Sequence, residues 1–205
     1  MAQIFDNALP RESLEGLNAL FHDMDFPWFN LNVLALREHE VQLAPKHEDS
    51  FASSGFFHLF CDTEQSKSLL PREGNLRINS YHWDSIKPIV SMIAEMLGTD
   101  VKKILRCKVN LTTPHPSLTK EAFSLPHCDS DEKHLVALLY VNNSDGDTVI
   151  FNEKWNGSYI KEVTIKETIS LKENRVVSFN GNSYHAGGIP VHSRERITLN
   201  MDFGT

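Results

Sequence analysis

The stretch Arg194-Glu195-Arg196-Ile197-Thr198-Leu199-Asn200-Met201-Asp202-Phe203, near the C-terminus, alternates strictly. Ile197, Leu199, Met201 and Phe203 share one face, while Arg194, Arg196, Thr198, Asn200 and Asp202 share the other. Successive side chains of an extended chain point to opposite sides, so this is a β-strand with one apolar and one polar face. A solvated edge strand has this pattern. So does a barrel strand whose apolar face meets helices packed outside and whose polar face lines the barrel mouth. The second arrangement buries two arginines, which is costly unless an anion pairs with them. A dicarboxylate supplies that anion, because a guanidinium grips a carboxylate through two parallel hydrogen bonds.

Working upstream, the same period of two recurs. In Ile104–Thr112, Leu105, Cys107, Val109 and Leu111 share a face, opposite Arg106, Lys108 and Asn110. His134–Asn142 is nearly all apolar, as a strand covered on both faces would be. Further strands are expected at Thr148–Asn152, Ser158–Ile165 and Arg175–Phe179, with turns at Ser144–Gly146 and Asn180–Ser183. Before residue 100 the period is helical. Leu14, Leu17, Leu20, Phe21 and Met24 stripe a helix over Pro10–Met24, and Ile86, Ile89, Val90, Ile93 and Leu97 stripe another over Asp84–Leu97, with Gly98 as its stop. The stretch Pro45–Ser80 between them reads as irregular, either a substrate loop or a covering loop. Leading helices followed by many short strands predict a mainly β fold with flanking helices, a barrel or jelly roll. No glycine-rich phosphate loop or strand–helix alternation points to a Rossmann-type fold.

A chain of 205 residues is expected to form one domain, 1–205, with 1–100 as helical cover and loops and 101–205 as most of the β core. With 40% hydrophobic and 23% charged residues, the composition is that of a soluble globular protein. The net charge of −7 argues against a nucleic-acid partner held by broad phosphate neutralisation. Cys61, Cys107 and Cys128 form no close pair, so neither a disulfide framework nor a zinc knuckle is indicated. The sequence carries no membrane-spanning apolar run and no signal peptide, so a cytoplasmic location is expected.

His127 and Asp129 form an H-x-D step, and in extended backbone both side chains point the same way. His185 follows the Arg175–Phe179 strand, in Tyr184-His185-Ala186-Gly187-Gly188. Two histidines and one carboxylate on one side of a metal leave the opposite positions open, the facial arrangement of non-heme iron(II) oxygenases. An H-x-D step alone has little specificity, and the remaining histidines (His22, His39, His47, His58, His82, His115, His134 and His192) read as structural or exposed. The polar face of the last strand is what singles out the three.

In order, His127-Cys128-Asp129, Tyr140-Val141-Asn142, Asp147-Thr148-Val149-Ile150-Phe151, Tyr184-His185-Ala186-Gly187-Gly188 and Arg196-Ile197-Thr198 resemble the Fe(II)/2-oxoglutarate-dependent dioxygenases. The likeness is to the prolyl-4-hydroxylase-like branch, which includes small phage and bacterial oxygenases, and covers about Arg106 to Phe203. It implies a double-stranded β-helix (jelly-roll, cupin-like) fold, with His127, Asp129 and His185 as iron ligands. It implies Arg196 as the partner of the distal carboxylate of 2-oxoglutarate, although Arg194 on the same strand face matches some relatives. Tyr140 matches a tyrosine that hydrogen-bonds that carboxylate in certain hydroxylases, with plain barrel packing as the alternative, and Thr198 is expected to add a hydroxyl to the same carboxylate. The implied cofactors are Fe(II), 2-oxoglutarate and O2, with ascorbate as a reductant. The implied reaction hydroxylates an unactivated C–H bond and yields succinate and CO2. The second glycine of Gly187-Gly188 and the Ser144-Asp145-Gly146-Asp147 run depart from many prolyl hydroxylases, near the mouth, where they bear on the substrate.

Two other readings use the same three ligands: a zinc hydrolase, and a cupin-like metal-binding module without turnover. For the oxygenase, a prolyl, peptidyl or amino-acid substrate is expected first, a small metabolite second and a nucleic acid last. Pro45–Ser80 and Thr112–Leu125 are the segments expected to close over it.

Overall fold

The computed structural model describes residues 1–33, 44–63, 72–73, 75–130, 132–158 and 160–205. In chain order the strands and helices are β1 (Gln3–Asp6), α1 (Arg11–Phe21), β2 (Phe29–Leu31), β3 (Ser50–Phe51), β4 (Gly55–Asp62), β5 (Arg72–Glu73), β6 (Leu76–Ile78) and α2 (Trp83–Met96). A short 3-10 turn, Val101–Lys103, leads into β7 (Ile104–Thr112), β8 (Phe123–Ser124), β9 (His134–Tyr140) and β10 (Thr148–Lys154). The chain continues through β11 (Ile165–Ile169), β12 (Arg175–Asn180), β13 (Ser183–Gly187) and β14 (Arg196–Gly204).

A nine-stranded sheet runs β1-β12-β9-β14-β7-β4-β6-β5, with β2 added on β4. A three-stranded sheet, β11-β10-β13, faces it, and β3 pairs with β8. The alternation of β14 explains its central place. Ile197, Leu199, Met201 and Phe203 are fully buried and cluster with Leu17 and Phe21 of α1 and with Ile86, Ile89, Val90 and Ile93 of α2. Burying an aliphatic or aromatic side chain contributes roughly 1.5–3 kcal/mol, so this seam fixes which face of the sheet meets the helices. β9 is apolar throughout because it serves two cores. Ala137 and Leu139 face the helices, while Val136, Leu138 and Tyr140 pack with Ile150, Ile169, Val177 and Phe179 between the sheets. The polar faces of β14 and β7 line a pocket between the two sheets. α2 ends as its glycine predicts: Gly98 has φ 67°, and the Thr99 N–H donates to the Ala94 carbonyl at 2.9 Å.

Four expectations need correction. Pro45–Ser80 is not simply irregular, because it holds β4, which pairs with β7 in the large sheet. A register shift between Leu59 and Cys61 breaks the alternation there, leaving Phe60 and Cys61 both fully buried. The strand expected at Ser158–Ile165 begins only at Ile165 and runs to Ile169 along an edge. His185 does follow β12, but it lies inside a further strand that was not expected, β13, paired with β10. Finally, β14 starts at Arg196, and Arg194 is exposed outside it. The Asn142 side chain accepts the Ile197 N–H at 2.9 Å and donates to the Glu195 carbonyl at 3.0 Å, ending the ladder at that point. His39, residues 64–71 and 74 of the Pro45–Ser80 stretch, and Tyr159 lie outside the described residues.

Candidate metal centre and anion pocket

His127 and His185 come together through backbone. Each N–H donates to the other's carbonyl at 3.0 Å, an isolated antiparallel bridge that fixes both Cβ positions. Their rings lie 4.5 Å apart, and Asp129 closes the group. Its Oδ1 is 3.8 Å from His127 Nε2 and its Oδ2 is 3.3 Å from His185 Nε2. All three ligand atoms fall within 4.8 Å of one another.

The second ring nitrogens are engaged. His127 Nδ1 donates to the Leu125 carbonyl at 3.0 Å and His185 Nδ1 to the Ser183 carbonyl at 3.2 Å. A carbonyl only accepts, so both rings are held as the tautomer whose Nε2 lone pair points at the centre of the group. Burial, reinforced by His185, pushes His127 down to about 3, which keeps its ring neutral across the physiological range, as a metal ligand would need. For Asp129 burial works in the opposite direction, but Arg106, His185 and Lys108 overcome it and hold the carboxylate ionised, well below its usual range. Arg106 Nη2 lies 2.5 Å from Asp129 Oδ1 and 2.8 Å from Asp202 Oδ2. Asn200 Nδ2 donates to Asp129 Oδ2 at 3.2 Å.

These residues fit a divalent transition metal. Imidazole and carboxylate ligands bind at about 2.0–2.2 Å, which puts neighbouring donors about 3 Å apart. The observed 3.3 and 3.8 Å need only sub-ångström closure.

At the other end of the pocket lies Arg196, only 5% exposed. Its Nε donates to the Gly146 carbonyl at 2.8 Å, Nη1 to Thr198 Oγ1 at 3.3 Å and Nη2 to Thr148 Oγ1 at 3.0 Å. Tyr140, pushed up to about 12 by burial, donates to the same Thr148 oxygen at 2.7 Å. Thr148 thus accepts twice, and its own proton is left to donate elsewhere. Arg196 forms no ion pair among the described residues, and burial lowers its pKa from the usual arginine value. Asp147 acts on it only at longer range, and a buried guanidinium whose hydrogen bonds all go to neutral groups can take an anion. The glycines that set the sequence apart close around it. A Cβ on Gly187 would stand 3.1 Å from Arg196 Cζ, and one on Gly146 would stand 2.7 Å from the Gly188 carbonyl oxygen.

Of the six residues singled out in the sequence, His127, His185, Arg196 and Thr198 line this pocket, Asp129 closes the group with the two histidines, and Tyr140 reaches the pocket through Thr148. Sequence reasoning missed Thr148, Asn200, Arg106 and Lys108 as site residues. The shared polar face of Arg106, Lys108 and Asn110 was the available signal, and it points to the metal group once β7 is paired with β14.

No protein-family model matches the chain, and no curated protein matches it in sequence. Solved structures do match in fold. A 2OG-Fe(II) oxygenase family oxidoreductase from Burkholderia pseudomallei aligns with a TM-score of 0.62 at 12% identity, over 99% of this chain and 84% of that one. A Trichoplax adhaerens prolyl hydroxylase, in complex with a hypoxia inducible factor oxygen degradation domain peptide fragment, aligns at 0.58 and 11%, over 99% and 83%. A Pseudomonas putida prolyl-4-hydroxylase aligns at 0.52 and 18%, over 100% and 92%. The chain has the fold of the 2-oxoglutarate oxygenases, the double-stranded β-helix expected from the sequence.

Proposed function

We propose that the chain, as a single catalytic domain over 1–205, is an Fe(II)- and 2-oxoglutarate-dependent dioxygenase acting on an unactivated C–H bond of an amino-acid or peptidyl substrate. The observation that carries this reading is Arg196, a buried cation with no carboxylate partner, in the same pocket as a buried two-histidine, one-carboxylate group. A zinc hydrolase needs the metal group but has no use for that cation. The fold shared with the Burkholderia and Pseudomonas enzymes supports the same reading.

In this reading His127, Asp129 and His185 hold the iron, and their backbone-anchored rings keep one side of it open. Arg196 takes the distal carboxylate of 2-oxoglutarate in a bidentate grip, helped by the spare protons of Thr148 and Thr198, while Tyr140 orients Thr148. Iron and 2-oxoglutarate, when bound, would let O2 act as the oxidant, one oxygen atom going into succinate as 2-oxoglutarate loses CO2 and the other into the hydroxylated product. Arg106 and Asn200 fix the Asp129 carboxylate, and the apolar walls formed by Leu138 and Ala186 limit water at the reacting centre.

The test mixes purified protein with Fe(II), ascorbate and 2-oxoglutarate and follows succinate. Iron-dependent succinate is the expected result. Zinc-supported hydrolysis of ester or amide probes without any use of 2-oxoglutarate would replace the reading with the hydrolase. Iron binding without succinate under any condition would leave a cupin-like binding module.

A further inference from the structure

One cation of the pocket, Lys108, is left without a close anion once iron and 2-oxoglutarate are placed. Three cations stand along the pocket: Arg106 and Lys108 beside Asp129 and Asp202 at the metal group, and Arg196 at the far end, where Asp147 acts on it electrostatically. Arg106 contacts both carboxylates, at 2.5 and 2.8 Å. Arg196 is taken by the distal carboxylate. The remaining cation is Lys108. Its side chain is 14% exposed and lines the pocket, and its one ion pair among the described residues is a 3.9 Å approach to Asp129 Oδ1, beyond hydrogen-bond length.

Directly across the ladder from Lys108 is Asn200. It is 4% exposed and also lines the pocket. Its Nδ2 is spent on Asp129, whereas its Oδ1 is buried without a hydrogen-bond partner among the described residues. A buried, unpaired acceptor in a cavity calls for a donor from whatever fills the cavity. A cation short of an anion and an acceptor short of a donor thus stand side by side, next to the metal group and apart from the Arg196 end.

We propose that Lys108 and Asn200 form the prime-substrate subsite, with Lys108 binding a carboxylate and Asn200 Oδ1 accepting from an N–H beside it. That pairing is the chemistry of an amino acid with a free carboxylate, either the free compound or the C-terminal residue of a chain. The inference rests on the oxygenase reading. An internal residue of a peptide, amide-linked on both sides, brings no charge to Lys108. Because Lys108 approaches a metal-ligand oxygen, a carboxylate bound there holds its neighbouring C–H bonds close to the metal, which is the positioning the reaction needs.

The experiment compares free L-amino acids with their carboxamides, and peptides with free or amidated C-termini, as stimulators of succinate formation by the iron-loaded protein. Anaerobic calorimetry of the same acid–amide pairs on protein loaded with Mn(II) and 2-oxoglutarate reads binding without turnover. The expected result is at least one acid that binds and stimulates about tenfold or more above its amide. The free compounds and the free-C-terminus peptides then distinguish the two sources. Lys108→Met raises the KM for that acid by a similar factor, Lys108→Arg restores most of the loss, and the constant for 2-oxoglutarate moves less than that for the acid. Equal responses to acids and amides, responses only to internal residues, or no response to any probe overturn the proposal. So does a larger shift for 2-oxoglutarate than for the acid in Lys108→Met, which would give the lysine to the near carboxylate of 2-oxoglutarate. Failure of the oxygenase reading is a separate result: no succinate in wild-type protein and no binding of 2-oxoglutarate to the metal-loaded protein.

Discussion

At the scale of single residues, the two ends of the pocket make different demands on their side chains. The two rings of the candidate metal group are held by the fold itself, since each histidine is tied to a backbone carbonyl two residues away. Replacing His127, Asp129 or His185 by alanine is therefore expected to abolish or greatly weaken iron binding while leaving the far-ultraviolet circular dichroism unchanged. Wild-type iron content in any one variant would remove that residue from the ligand set. The arginine end depends on one guanidinium. Arg196→Met is expected to raise the apparent constant for 2-oxoglutarate by about tenfold or more, since a charged hydrogen-bonded pair contributes roughly 1.5–3 kcal/mol. Arg194→Ala is expected to do much less, because Arg194 is exposed outside β14. A co-substrate titration with the larger loss in Arg194→Ala would reverse the assignment.

Among the elements, β14 joins the helix-facing core to the pocket, so its two faces can be tested separately. Leu199 is fully buried among the residues of α1 and α2, and Leu199→Ala is expected to cost about 2–5 kcal/mol in chemical denaturation with the constant for 2-oxoglutarate little changed. The turn before β14 is held by Asp145, whose carboxylate accepts the N–H groups of Val191, His192 and Ser193 at 2.8–3.3 Å. Burial pushes Asp145 up, but these backbone donors and the Ser193 hydroxyl outweigh it and bring it down to about 2, from an ordinary value of 3.8. A carboxylate depressed in the folded state adds stability that is present above its unfolded value and is lost as pH falls through the folded one. The contribution therefore disappears between about pH 4 and pH 2. Solvent screening limits it to about 1 kcal/mol. Denaturation midpoints of wild type and Asp145→Asn should differ at neutral pH and converge at pH 2, and a constant gap would rule the clamp out.

For the molecule as a whole, the site lies between two sheets that share no ladder among the described residues. A ligand that bridges them binds the folded state alone and stabilises it by mass action, by about 2.7 kcal/mol at a hundredfold excess over its Kd. At roughly 2–4 °C per kcal/mol for a chain of this size, Mn(II) with 2-oxoglutarate should raise Tm by about 5–11 °C. The rise should be absent in His185→Ala. Among the described residues no helix is long and apolar enough to cross a membrane.

Local pattern determined a great deal here. The alternation of Ile197 to Phe203, the even apolarity of β9, the helix stop at Gly98 and the H-x-D step of His127 and Asp129 all depend on near neighbours in the chain, and all were legible in it. What the sequence left open depends on partners far along the chain. β4 was hidden because the shift between Leu59 and Cys61 erases a period of two, and only its pairing with β7 makes it a strand. Arg194 and Arg196 are equivalent by period, and they part only because Asn142, more than fifty positions away, ends the ladder between them. Lys108 and Asn200 are ordinary polar positions on two separate strands, and only the register of β7 against β14 sets them side by side at the metal group. A strand's own residues fix which way its side chains point, but what they point at is fixed by the neighbouring strand, through hydrogen bonds that carry no signature of side-chain identity.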